Sequence, residues 1–334
     1  MIISRCPLRL PLGGGGTDLP SYYEQYGGFL IAATINKHVY VSANKQFYDT
    51  YSLKYSKIEN QKDINKIEHP LIRESIRFLN IPPGIEITSL ADIPSGTGLG
   101  SSGAFLVALL NTLHCYKGSK PSKRQVAEEA CKIELDILKE HEGKQDKFST
   151  SYGGIKAYEF HRTGQVSVIP LINEDIILST LQENLFIFFT GIFRQGKASD
   201  ILKQQDIKTK ENNPDIVERL HLIKQIGIRT KDVLEKGDFD SFGRLMNQHW
   251  EIKKQYSPQS TNEFVDKCYK VALEKGALGG KILGAGGGGF LMFYHSGSSK
   301  EKWEFVDAMT KLGLTPLDFA FDVEGVTTII EERM

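Results

Sequence analysis

The sequence carries no excess charge of either sign, no cysteine framework and no long apolar run, and each lack excludes a class of protein. Lys plus Arg and Asp plus Glu both number 41, so the net charge is zero. No global field then draws the chain to nucleic acid or to an anionic membrane, and any anion site must be built locally. The four cysteines (Cys6, Cys115, Cys131 and Cys268) are scattered without a C-x-x-C pair. That pattern fits reduced thiols better than a disulfide scaffold or a zinc site. The eight histidines include no H-E-x-x-H. The longest apolar run, residues 104–110, is far too short to span a membrane. The opening MIISRCPLRL is charged too early for a signal peptide. A cytoplasmic protein is expected, a monomer or homodimer whose partners are small molecules rather than nucleic acid or membrane.

What is present is a chain of 334 residues with ordinary apolar content, enough for two medium domains with their own cores. The first half alternates strand-like and helix-like stretches. Residues 2–12 and 28–43 read as strands, 85–90 as another, and 152–160 with 165–171 as a hairpin. Between the first two, Asp18 is placed to cap a short helix with Pro20 in its first turn. Residues 101–116 are apolar on nearly every face, which predicts a buried central helix, and 122–140 predict an amphipathic one. From Leu185 the character changes: an apolar strand, long polar helical stretches between 199 and 276, a strand at 290–294, a helix near 300–312 and a last strand at 325–331. The pattern predicts an α+β fold in two packed domains, 1–178 and 179–334.

Three glycine-rich segments punctuate this pattern. Phosphates bind where several backbone N–H groups converge, which needs glycine, and a helix N-terminus adds unpaired donors and partial positive charge. The run PSGTGLGSSGAF at 94–105 supplies both: Gly96, Gly98 and Gly100 alternate, then Ser101 and Ser102 open the buried helix. The bland reading is a tight turn with a serine cap. No lysine stands where a Walker loop requires one. A dinucleotide fingerprint, Gly98-x-Gly100-x-x-Gly103, matches in letters, but residues 91–95 before it are not an apolar strand and no acid follows about twenty residues on. The second segment, LGGGGTD at 12–18, lets backbone approach a ligand, with Gly14, Gly15, Gly16, Thr17 and Asp18 as substrate contacts. Arg9 alternates with Leu8, Leu10 and Leu12 in the strand before it, so it faces away from the core side: either a solvated cation or a partner for an oxyanion. The third, KILGAGGGG at 281–289, precedes a strand and so excludes the Rossmann arrangement. It is a packing hinge or a further ligand loop, with Gly286 and Gly287 as contacts. A phosphorylated ligand lying between two domains accounts for all three.

Phosphoryl transfer also needs carboxylates, to hold Mg²⁺ and to orient the attacking hydroxyl. The segment 133–146 is dense in them. Most read as a solvated helix face. Asp146 follows a Gly-Lys-Gln turn and precedes the small polar stretch FSTSYGG, where it is a helix cap or a reactive carboxylate.

In this order and spacing the segments resemble the galactokinase–homoserine kinase–mevalonate kinase–phosphomevalonate kinase (GHMP) superfamily over essentially the whole chain. Residues 94–104 resemble its P-x-x-x-G-L-G-S-S-A motif, with Gly103 replacing the first alanine, a loss of one methyl that should be tolerated. Residues 281–291 resemble K-x-x-G-A-G-x-G-G-x, and 7–18 the first motif. The resemblance implies an N-terminal α/β sandwich with a left-handed crossover and a ferredoxin-like C-terminal domain. It implies ATP as phosphoryl donor, its phosphates on Gly96, Gly98, Leu99, Gly100, Ser101 and Ser102. It implies Mg²⁺ held by Ser102 and Glu134, twelve residues before Asp146, with Glu140 or Glu142 as alternatives if the register is off. Asp146 would be catalytic with Arg9 as its partner, an Arg as in the sugar 1-kinases.

The first motif lacks the Glu-His of galactokinases, and GGGGTDLPSYYEQYGG and EGKQDKFSTSYGG resemble the bacterial D-glycero-D-manno-heptose 7-phosphate kinases. The implied reaction is phosphorylation of the anomeric hydroxyl, giving the 1,7-bisphosphate. A phosphorylated acceptor needs its own cations. Arg194 and Lys197 are the first choices, with Lys253 and Lys254 behind them, and a solvated loop is the alternative for the former pair. Fucose or an N-acetylhexosamine remains open as acceptor, as does a nucleotide-binding relative without turnover.

Overall fold

The computed structural model describes residues 1–193 and 198–331. In chain order its first part comprises β1 (Ile2–Gly13), α1 (Pro20–Tyr26), β2 (Gly28–Lys45), β3 (Tyr51–Lys54), β4 (Ile58–Gln61), α2 (Pro70–Phe78), β5 (Ile85–Ala91), α3 (Ser101–Tyr116), α4 (Lys123–Cys131), α5 (Gln145–Tyr152), β6 (Ile155–Phe160), β7 (Val166–Pro170) and α6 (Glu174–Asn184). The rest comprises β8 (Leu185–Phe189), α7 (Ala198–Lys210), α8 (Pro214–Glu235), α9 (Phe239–Tyr256), α10 (Glu263–Glu274), β9 (Gly279–Ile282), β10 (Phe290–Tyr294), α11 (Ser299–Lys311), β11 (Thr315–Pro316) and β12 (Thr327–Glu331).

Two sheets result. In the larger, β12, β1, β2, β5, β3 and β4 lie side by side, and β6 also pairs with β2 and carries β7. β1 contains Pro7 and Pro11, which cannot donate to a ladder, and its register against β2 slips after each. The smaller sheet runs β11–β8–β10–β9, all antiparallel, with α7 to α10 between β8 and β9 and α11 between β10 and β11. That is the β-α-β-β-α-β plan of a ferredoxin-like domain. Buried through 14 of its positions, α3 packs on β1 and β2, as its apolar circumference predicts. One core runs from Leu8 and Leu10 through Leu106 and Leu110 to Ile187, Met246 and Met292, so it ties the two sheets together. A second, around Trp250, Phe293 and Phe305, backs the smaller sheet.

Several expectations need correction. The 178/179 boundary falls inside α6, and β12 pairs with β1 in the larger sheet rather than in the second half's own. The pairing Ile2↔Glu331 joins the two ends of the chain, and no local pattern reports such a contact. α1 is capped at Leu19 without a side-chain bond, because Asp18 is engaged elsewhere. The helix expected over 122–140 ends at Cys131, where Lys132–Ile137 forms a π-helical turn. The small polar stretch after Asp146 is helical as far as Tyr152: the hydroxyls of Ser149 and Thr150 donate to the carbonyls four residues back, which lets small polar residues lie buried against α3 and α4.

The returning C-terminal segment is anchored at Asp322. Its carboxylate takes His38 Nε2 at 2.9 Å and the N–H groups of Glu324 and Gly325, while its carbonyl accepts the Thr34 hydroxyl at 2.6 Å. Burial pushes this carboxyl up, but the bonds from His38 and Gly325 outweigh it and hold the pKa below the ordinary 3.8. A depressed pKa contributes stability that is present above the unfolded value and lost as pH falls through the folded one. Asp322→Asn should therefore melt below the parent at neutral pH, and the gap should narrow on acidification below 3.8. A gap in Tm that does not change with pH would show that the charge is not the anchor.

Candidate active site

One cavity gathers residues from both halves. It is lined by Arg9 of β1, Gly15, Gly16 and Asp18, Gly96, Gly98 and Gly100, and Ser101 and Ser102. Glu134 and Glu142, Gln145, Asp146 and Lys147 form another side. Leu202 and Gln205 of α7, His249 and Lys253 of α9, and Lys281, Ile282 and Gly284 complete it.

The 96–100 loop approaches α3 with Gly96, Gly98 and Gly100 all at positive φ, Gly100 being the left-handed cap. This aims main-chain N–H groups and a helix N-terminus at one point, the geometry that holds a phosphate chain. Ser101 Oγ is buried there without a partner among the described residues, and the exposed Ser102 stands beside it. Leu99 is buried, and its carbonyl accepts the Arg9 N–H at 3.0 Å. Gly98 also joins the halves: a Cβ there would meet the Leu283 carbonyl oxygen at 2.4 Å, and one on Gly284 would meet Gly98 Cα at 2.7 Å.

Arg9 is buried rather than solvated. Its Nε donates to Asp146 Oδ1 at 2.8 Å, Nη2 to Oδ2 at 3.1 Å and Nη1 to the Gly98 carbonyl at 2.6 Å. This bidentate fork fixes a carboxylate beside the phosphate cradle. Gly103 makes the proximity possible: a Cβ there would lie 2.6 Å from Asp146 Cβ. Asp146 sits in the first turn of α5, and Asp18 is the remote cap of that helix, with Oδ2 accepting the Gln145 N–H at 2.9 Å and Oδ1 that of Gly16 at 3.2 Å. Burial pushes the Asp18 carboxyl above its ordinary value.

Glu134, on the π-helical turn, is buried and forms an ion pair with Lys147. Lys147 Nζ also donates to the Gly143 carbonyl at 2.9 Å, and burial pushes its pKa down to about 8. Among the described residues no three His, Cys, Asp or Glu side chains gather to hold a metal. The oxygen donors Ser102 and Glu134 line the cavity, which suits Mg²⁺ arriving with a nucleotide's phosphates, the usual way this ion is held.

The other expected contacts divide. Gly15 and Gly16 line the cavity, whereas Gly14 packs on the Phe29 carbonyl and Thr17 spends its hydroxyl on the main chain of Gly14 and Phe29. Thr17 is thus a latch between the loop and β2. Gly286 packs against Ser260, and the Gly287 N–H donates to the Ser260 carbonyl; neither lines the cavity. Arg194 and Lys197 lie outside the described residues. Lys253 lines the cavity, while Lys254 pairs with Glu251 over the Trp250 ring, outside it. Sequence reasoning missed Gln145, whose amide nitrogen is buried without a partner among the described residues, and also Lys147, His249 and Lys281. Only Lys281 carried a signal, as the first letter of the third glycine segment.

A phosphate cradle facing an arginine-held carboxylate defines a phosphotransferase for a small acceptor. The comparisons place it in a family. The GHMP kinases N terminal domain matches residues 65–154 and the GHMP kinases C terminal domain 230–309. D-glycero-alpha-D-manno-heptose 7-phosphate kinase of Campylobacter jejuni is 30% identical over 97% of this chain and 98% of its own. The crystal structure of a D-glycero-D-manno-heptose 1-phosphate kinase from Bacteroides thetaiotaomicron covers 100% of both chains with a TM-score of 0.81 at 27% identity. An L-fucokinase/L-fucose-1-P guanylyltransferase of Bacteroides fragilis is 25% identical over 87% of this chain and 34% of its own. The chain belongs to the GHMP kinase family and is an ATP-dependent small-molecule kinase, as the motifs implied. No helix among the described residues is long and apolar enough to cross a membrane.

Proposed function

We propose that this kinase transfers the ATP γ-phosphoryl to the anomeric hydroxyl of D-glycero-D-manno-heptose 7-phosphate, giving the 1,7-bisphosphate and ADP. The observation that carries the reading is the match to the Campylobacter jejuni heptose 7-phosphate kinase along nearly the full length of both chains. The β- and γ-phosphates lie on the 96–100 loop and the first turn of α3. Asp146 orients the acceptor hydroxyl and takes its proton; the hydroxyl oxygen bonds to the γ-phosphorus as the bond to the ADP oxygen breaks. Arg9 holds Asp146 in register and adds positive charge where the phosphoryl group passes. Gln145, whose side-chain nitrogen has no partner among the described residues, and the main chain of Gly15 and Gly16 face the sugar. Ser102 and Glu134 would hold Mg²⁺ with the phosphates, where it would supply charge neutralisation for the transferring group.

The test is ADP release over a panel of sugars and sugar phosphates, with the phosphorylated position read by phosphorus NMR. Heptose 7-phosphate should be strongly preferred and gain a phosphate at the anomeric carbon. Equal rates on unphosphorylated sugars would remove this acceptor, and a preference for fucose would favour the fucokinase-like reading instead.

A further inference from the structure

One wall of the cavity holds a buried cation with no counter-charge among the described residues. Lys281, on the edge strand β9, is 3% exposed. Among the described residues it has neither a carboxylate nor a hydrogen-bond acceptor, and its charged neighbours are Lys253 and Arg9, both positive. Of the cavity's other charged residues, Arg9 pairs with Asp146, Lys147 pairs with Glu134, and Asp18 accepts two backbone N–H groups. Beside Lys281 on α9 stand Lys253, whose Nζ donates to the Gly284 carbonyl at 2.6 Å, and His249, 4% exposed, with Nδ1 lacking any partner among the described residues. Burial, then the neighbouring lysines, push the His249 imidazole well below its ordinary value, and Lys281 is pushed down likewise. Burying an ammonium without a counter-charge is strongly unfavourable, and burying a second positive group beside it more so. Such a cluster is stable as a receptor for an anion that arrives from outside.

We propose that Lys281, Lys253 and His249 form a second anion subsite, apart from the α3 cradle, that takes the phosphate monoester already present on the acceptor. The inference rests on the reading that the acceptor is a sugar phosphate. A dianion placed here compensates Lys281 and supplies acceptors for His249. It also tethers the acceptor by the end remote from its reacting hydroxyl, so that binding energy far from the chemistry orients the hydroxyl at Asp146. The cluster lies on the second domain and the cradle on the first, joined where Gly284 meets Gly98, so the two phosphates are gripped by different walls of one cavity.

The experiment uses the full-length protein and Lys281→Met, with Lys254→Met as a control that removes a charge from α9 outside the cavity. With the cradle filled by a non-hydrolysable ATP analogue and Mg²⁺, inorganic phosphate and a hexose 6-phosphate should each raise the Tm of the parent and the control but not of K281M. K281M itself should melt no lower than the parent, since it loses an uncompensated buried charge. In turnover, its KM for the sugar phosphate should rise by about thirtyfold or more while that for ATP stays within about threefold. If the anions shift the Tm of K281M as they shift the parent, the subsite is overturned. A rise in the ATP KM alone overturns it too, since Lys281 then serves the γ-phosphate. If anion binding depends on Lys281 yet heptose 7-phosphate is not turned over, the subsite stands and the acceptor assignment fails.

Discussion

Asp146→Asn is expected to lose about three orders of magnitude in kcat, with affinity for a non-hydrolysable ATP analogue within about threefold of the parent. The substitution keeps shape and removes charge. The amide oxygen can still accept from Arg9 Nε, but the amide nitrogen then confronts Nη2, which now donates to Oδ2 at 3.1 Å. On the proposed mechanism, the acceptor hydroxyl loses the anion that orients it and takes its proton. A thousandfold loss corresponds to about 4 kcal/mol of barrier, within reach of a general base but beyond a surface hydrogen bond. Nucleotide affinity is spared because the cradle is built from the backbone of 96–100 and the start of α3, to which Asp146 contributes no atom. The fold is spared too: the Asp146 side chain is 23% exposed, and Arg9 keeps the Gly98 carbonyl. Turnover surviving within about tenfold, roughly 1.4 kcal/mol, would mean that another group does this chemistry.

The placement of Asp146 at a helix start and the turn of the 94–105 run into a buried helix were legible because local letters dictate them: glycines at positive φ before an apolar helix, and a carboxylate at the start of a helical turn. The buried helix α3 and the hairpin of β6 and β7 followed from periodicity for the same reason. What escaped is what long-range packing decides. Asp18 reads as the cap of the helix that follows it, yet it caps α5, because Gly143 leaves room for its carboxylate against the Gln145 N–H. Glu134 reads as one of many acids on an amphipathic face; the π-helical turn buries it against Lys147, and no propensity reports that pairing. Lys281 reads as a motif letter on a short strand, and only the packing of α9 over β9 makes it a buried cation. The glycine-rich segments were read as contacts for one ligand. In the fold, part of that glycine is spent on loop meeting loop, as at Gly98 and Gly284.

Gly103 gives the second large effect, and it concerns the letter at which the chain departs from its family's motif. The motif's alanine there made the glycine look like the loss of a dispensable methyl. The geometry reverses that reading: a Cβ at 103 would lie 2.6 Å from Asp146 Cβ and 3.3 Å from its carbonyl carbon, so α5 would have to retreat toward ordinary contact at 3.4 Å or more. The colliding atoms sit at the root of the side chain, which no rotamer change can move, so the shift must carry the carboxylate with it. A displacement approaching 1 Å at a reacting group costs about a hundredfold in rate, and Gly103→Ala should lower kcat by about that factor. Stability should move little, because alanine gains about 1 kcal/mol over glycine within a helix against an overpacking cost of about 1–3 kcal/mol. The expected signature is therefore a kcat collapse at nearly constant Tm and nearly constant ATP affinity, which a merely unstable variant would not give. A kcat within about threefold of the parent would show that α3, rather than Asp146, absorbs the methyl, and that the close approach of these two helices is not what sets the position of the carboxylate.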